Sequence, residues 1–139
     1  MIERNIMIPL ALSVLVACSS ANTYVIKPID TSDSPSVVLR IKSDTENLSE
    51  NIARRIQKLG FRVIPDGGSR PDYYANVQYT TFWDVVHQTF KQFEIAFVDA
   101  KNNENRVRSL YTGRFGFKGC DAALDLVFED LSSKLKKGT

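Results

Sequence analysis

This chain has little of what most chemistry requires: one histidine, one tryptophan and two cysteines among 139 residues. A lone His87 cannot build an HExxH site, and Cys18 and Cys120 are too far apart for a CxxC pair. Neither a glycine-rich phosphate loop nor a nucleophile at a strand-to-helix elbow is present. No apolar run reaches the roughly 20 residues that a membrane-spanning helix needs. The charges nearly cancel: the formal net value is +2, without the concentrated basic surface of a nucleic-acid binder. The reading is therefore of a non-enzymatic protein with no catalytic residue, no metal site and no cofactor.

What is present starts at the N-terminus. Met1–Asn5 is short and polar with Arg4, and Ile6–Ala17 is apolar apart from Ser13, with one interruption at Pro9. That is a signal-peptide layout. The run ends in Leu15-Val16-Ala17-Cys18, which resembles a bacterial lipobox, where a cysteine is acylated and the chain is cut just before it. The alternative is a buried N-terminal helix with an ordinary cysteine. Lipidation of Cys18 implies firm anchoring, because each buried CH₂ contributes about 0.8 kcal/mol and one cysteine carries several acyl chains of the palmitate type. Ser19, where inner-membrane retention typically has Asp, resembles an outer-membrane address. Removal of residues 1–17 takes away Glu3 and Arg4 and leaves the net charge unchanged.

The remaining stretch of about 120 residues suits one domain. Residues 18–34 read as the lipidated cysteine and a tether rich in Ser, Thr and Asp, although "TYVIKPI" within it would serve as an edge strand. A flexible tether of that length has a root-mean-square span of about 20–24 Å. Residues 35–139 read as the folded domain. "SVVLRIKS" alternates with period two, as a strand does. "NLSENIARRIQKLG" sets Leu48, Ile52, Ile56 and Leu59 on one helical stripe, with Asn47 and Glu50 at capping-box spacing and Gly60 as the stop. "FRVIP" and "YYANVQYTTFW" are further strands. "FEIAFVDAKNNENRVRSLYTGRF" is a hairpin, and "CDAALDLVFEDLSSKLKK" is a closing helix with Leu124, Val127, Leu131 and Leu135 inward. The order β-α-β-β-β-β-α predicts an α+β fold: a two-layer sandwich with a mostly antiparallel sheet of about five strands and two helices on one face.

Two helices leave the other sheet face uncovered. "TTFWDVVHQTFKQF" crowds Phe82, Trp83, Val85, Val86, Phe90 and Phe93 together. Core packing accounts for about half of these, and the others, on the open face, would form an apolar contact patch. Trp83 and Phe90 are the candidate interface anchors, with Arg106 and Arg108 as its polar rim. His87 reads as a surface or hydrogen-bonded residue. Asp121, Asp125 and Glu129 read as the solvated face of a helix whose start favours acids. Cys120, at that same helix start and left without an intrachain partner, reads as an inert thiol.

The stretch "SVVLRIKSDTENLSENIARRIQKLGFRVIPDGGSRPDYYANVQYTTFWDV" resembles the N-terminal domain of TraT-type lipoproteins, the surface-exclusion and complement-resistance proteins of conjugative plasmids. Gly60-Phe61-Arg62-Val63-Ile64 and Tyr73-Tyr74-Ala75-Asn76-Val77 stand at that family's motif positions. The family's long glycine-rich hydrophobic segment is absent. The resemblance implies an outer-membrane lipoprotein that acts by protein contact. Its partners would be other copies or other envelope proteins, as an oligomeric or accessory part of a conjugation or secretion-type assembly. The alternative function is a carrier of a small hydrophobic ligand or lipid, which requires an apolar cavity beneath the aromatic cluster.

Overall fold

A computed structural model describes residues 20–83, 88–113 and 119–138. The elements are β1 (Ser20–Val25), β2 (Ser36–Lys42), α1 (Ser49–Lys58), β3 (Arg62–Val63), β4 (Tyr73–Trp83), β5 (Gln88–Asp99), β6 (Asn105–Thr112) and α2 (Cys120–Gly138). They form one six-stranded sheet in the order β1-β6-β5-β4-β2-β3. The α+β class is as expected, but the sheet has six strands rather than five. The added strand is β1, antiparallel to β6 from Ser20 opposite Thr112 to Val25 opposite Val107.

The stretch read as a tether is therefore part of the domain from Ser20 onward. Three side chains explain why. Ala21 and Val25 pack against the core. Between them the Thr23 hydroxyl donates to Ser109 Oγ at 3.0 Å in a buried pair, so a polar residue is accommodated on the inner face without an unpaired group. Beyond the strand, Ile29 is fully buried and plugs the end of the core.

Strands β1, β6, β5 and β4 are mutually antiparallel, while β2 runs parallel to both β4 and β3. Parallel neighbours β2 and β3 require a crossover, and α1 supplies it. The helix follows from its stripe: Ile52 and Ile56 are fully buried, one turn apart. Its start differs from the expected Asn47–Glu50 box. Asp44 caps it from further upstream, its two carboxylate oxygens accepting from the backbone N–H groups of Leu48 (2.8 Å) and Ser49 (3.1 Å). Asn47 instead takes a positive φ of 54°, which commits it to the turn. The helix stops at Gly60, whose φ of 109° is a conformation side chains disfavour and whose N–H returns to Gln57 O.

Both helices contribute to a single core on one sheet face. Val37, Ala75, Val77, Tyr79, Phe93, Ile95, Phe97, Val107 and Tyr111 meet Ile52 and Ile56 from α1, and Leu124, Val127, Leu131 and Leu135 from α2. Phe61 stacks on Phe97 with centroids 4.9 Å apart. Arg55 of α1 ties the helices together through Asp125 (2.6 Å) and Asp121 (3.4 Å) of α2. Two of the three acids read as a solvated face, Asp121 and Asp125, thus partner the first helix while remaining mostly exposed.

The cap of α1 also reaches the sheet. Tyr79 Oη donates to Asp44 Oδ1 at 2.6 Å and accepts from the Glu46 N–H at 2.9 Å. Burial works against the Asp44 carboxylate, but the hydrogen bonds from Tyr79, Leu48 and Ser49 outweigh it and hold its pKa below the ordinary value. For Tyr79, burial first and the Asp44 hydrogen bond second raise the pKa above 10. A carboxylate with a lowered folded pKa contributes stability that is complete above its unfolded pKa of about 3.9 and is lost as pH falls through the folded value. A tyrosine with a raised pKa contributes stability that is complete below about 10 and is lost as pH rises through the folded value. Urea melts across pH should show losses at both extremes. Asp44→Asn should flatten the acid limb, whereas an unchanged limb would place that pH dependence elsewhere.

Candidate functional site

Opposite the helices, alternate residues of the central strands face outward. The register aligns Lys42, Gln78, Glu94, Leu110 and Asn22 in one row, and Arg40, Asn76, Ala96, Arg108 and Tyr24 in the next. This face is predominantly polar, which corrects the expectation of an aromatic patch on it. Arg108 Nε donates to Glu94 Oε1 at 2.8 Å, and Gln78 Nε2 donates to Glu94 Oε2 at 3.2 Å, so one carboxylate links three strands. The Arg108 hydrogen bond, outweighing burial, keeps Glu94 below its ordinary pKa. The Arg40 guanidinium lies 3.9 Å from the ring centroid of Tyr74 and 3.4 Å from Asp66. Along the first row, on the side of Thr80, Gln92 and Thr112, runs an open trough of about 580 Å³ whose lining includes Lys42, Gln78, Gln92, Glu94, Arg108 and Leu110.

The four candidate interface residues separate. Phe90 is 0 % exposed, its ring against Tyr79 (5.4 Å between centroids) and Phe93 (5.1 Å). It is a core residue and is not presented to a partner. The cause is a β-bulge between Thr80 and Thr81: Thr80 pairs with Gln92 and Thr81 with Phe90, which leaves Lys91 as the extra residue. The extra residue turns both Phe90 and Phe93 toward the helices. Trp83, past the bulge and opposite Gln88, is 72 % exposed.

Arg106 and Arg108 also differ. Arg106 is half-buried and makes structural contacts, pairing with Asp99 at 3.0 Å and donating to the carbonyls of Lys27 (3.4 Å) and Pro28 (2.5 Å). It pins the segment after β1 rather than forming a rim. Arg108 alone lies on the open face as part of the trough. Glu94, Gln78, Lys42 and Arg40 are not distinguished by the sequence, and the only signal for them is their position opposite each apolar alternate.

Among the described residues, no group of three or more His, Cys, Asp or Glu side chains is arranged to hold a metal ion. No helix of the described residues is long and apolar enough to cross a membrane. Cys120 is half-buried, with Sγ 3.8 Å from the Gln88 carbonyl oxygen. Burial, reinforced by the charges of Glu46 and Asp121, pushes its thiol up to about 11. At neutral pH it is protonated and a poor nucleophile. His87 and Cys18 lie outside the described residues.

No family model matches the sequence, and no curated protein matches it. Solved structures do resemble the fold. PelC from Paraburkholderia phytofirmans, solved as a dodecamer, superposes with a TM-score of 0.61 at 13 % identity, covering 82 % of this chain and 96 % of PelC. A single-residue variant of the same dodecamer, in another crystal form, gives 0.60. A PDZ domain protein from Parabacteroides distasonis gives a TM-score of 0.51 at 11 % identity, covering 87 % of this chain and 37 % of that one. At these identities the likeness is one of fold.

Proposed function

We propose that this chain is a lipid-anchored, non-enzymatic protein of the outer membrane, fastened through acyl chains on Cys18, that acts by self-association and contact with other envelope proteins. The observation that carries the reading is Leu15-Val16-Ala17-Cys18 at the end of a short apolar run, directly ahead of the first strand. The PelC dodecamer supports self-association, since a domain of similar fold is found there as twelve copies. The two sheet edges also differ in a way that supports it. β3 is two residues long and is followed by Pro65, features that discourage pairing. β1 is six residues long and, among the described residues, has a strand on one side only. A role in a conjugation or secretion-type assembly, or in TraT-like surface exclusion, belongs to the same proposal and rests on the sequence resemblance. Carriage of a hydrophobic ligand draws no support from the aromatics, because Tyr79, Phe90 and Phe93 fill the core by packing on one another.

The test is extraction of the full protein from membranes in mild detergent, followed by mass spectrometry of the N-terminal peptide and sedimentation of the intact particle. The expected result is a mature chain starting at an acylated Cys18 and a single oligomeric species. An unmodified Cys18 in an intact N-terminus, or a monomer at every concentration, would overturn the corresponding half of the reading.

A further inference from the structure

We propose that the end of the sheet carrying Trp83 rests on the membrane in which the Cys18 acyl chains are held, with the indole at the level of the lipid headgroups. This rests on the reading of Cys18 as the lipidated residue and adds to it an orientation and a contact. The register supplies the geometry. Ser20 lies opposite Thr112, Thr112 opposite Gln92, and Gln92 opposite Thr80, so these four residues form one row across β1, β6, β5 and β4. β1 begins at this row, and β4, which runs opposite to it in direction, continues past the row to Trp83, so the start of β1 and Trp83 lie at the same end of the sheet.

The distances agree. Only Ser19 separates Cys18 from Ser20. Two extended steps reach at most about 7 Å. Trp83 stands three positions beyond Thr80, about 10 Å at strand rise, and three strand spacings, about 14 Å, to the side of β1. An anchor at Cys18 is therefore confined to within about 7 Å of Ser20, with no long tether to let the domain drift clear of the lipid, and Trp83 lies at the end of the sheet where β1 begins.

The exposure of Trp83 supports this placement. An indole has a large apolar body and one N–H donor, a combination that favours the boundary between acyl chains and water. At 72 % exposure this ring is the most exposed large hydrophobic side chain described, ahead of Ile26 and Tyr24. Half-buried Phe82 adjoins it, paired with Thr89. Among the described residues, charge at this end is mixed: Lys42 and Lys91 are accompanied by Asp44, Glu46 and Asp121. The contact is accordingly one of interfacial insertion and not of attraction to anionic lipid. An acylated domain meets the surface at high effective concentration, so a weak contact by one indole is enough to fix its orientation.

Because Trp83 is the only tryptophan, its fluorescence reports this site without mutagenesis. The full lipoprotein, reconstituted in phosphatidylethanolamine–phosphatidylglycerol vesicles, is compared with the same protein in vesicles containing phosphatidylcholine brominated near the headgroup end of its chains. The expected result is a loss of most Trp83 emission in the brominated vesicles, little protection lost on raising salt, and poor quenching by aqueous iodide. If the protein remains with the vesicles and Cys18 carries lipid by mass, yet emission is unaffected by bromine and quenched by iodide, the contact fails while the anchor stands. Emission shielded from both quenchers would place Trp83 against a second protein copy, and would also overturn the proposal. An unacylated Cys18 would remove the premise and the proposal together.

Discussion

Replacement of Phe90 by alanine should destabilise the domain by roughly 3–5 kcal/mol, whereas Trp83→Ala should change stability by no more than about 0.5 kcal/mol. The two residues belong to one aromatic cluster in the sequence, and their environments are opposite. Phe90 is 0 % exposed and touches Tyr79 and Phe93, which belong to the same buried group as Leu124 and Leu131 of α2. Loss of its ring removes apolar burial, two aromatic contacts and the filling of a space that the strand backbone is too rigid to close. For a domain of about 120 residues each kcal/mol corresponds to a fall of roughly 4 °C in Tm. Circular-dichroism melts of the two variants decide the point. If Phe90→Ala melts with the parent protein, the ring is not in the core.

The same cluster marks where sequence reading stops. Period-two alternation places Tyr79, Ala75 and Val77 correctly on one face of β4, and the 3.6-residue stripe places Ile52, Ile56, Leu124, Val127, Leu131 and Leu135 inward. These patterns are legible because each segment buries one face without interruption. Strict alternation sends Phe90 and Phe93 to opposite faces, and only the extra residue Lys91 brings both to the helix side. A bulge has no dependable composition signal, so Phe90, expected as an anchor on the open face, is in fact core. β1 is obscured for another reason. Its inward positions are Ala21, Thr23 and Val25, and the middle one is polar because it is satisfied by Ser109, 86 positions later. A local window cannot contain that partner. The candidate site is legible only in part: Trp83 is exposed as the cluster suggests, Arg106 proves to be a staple for the chain after β1, and the Glu94–Arg108–Gln78 network depends on a strand order that periodicity does not provide.

Alanine at Ile52 or Ile56 should each cost about 2–5 kcal/mol, and alanine at Arg55, between them, about 1 kcal/mol or less. Both isoleucines are fully buried beneath α1, where the sheet and α2 leave no solvent to refill a cavity. Arg55 is a different kind of contact. Its side chain is 18 % exposed and reaches Asp125 at 2.6 Å and Asp121 at 3.4 Å, but the two carboxylates are 62 % and 79 % exposed, so water screens the pairs. Salt separates the two mechanisms: added NaCl should shrink the Arg55→Ala effect and leave those of the isoleucine variants nearly unchanged. A double-mutant cycle of Arg55→Ala with Asp125→Ala should return a coupling of about 0.2–1 kcal/mol, confined to that pair. A loss at Arg55 as large as at Ile52 would mean that the helices are held to each other more by this ionic clamp than by the shared core. Small losses at all three would mean that α1 does not pack on the sheet through its Ile52–Ile56 stripe.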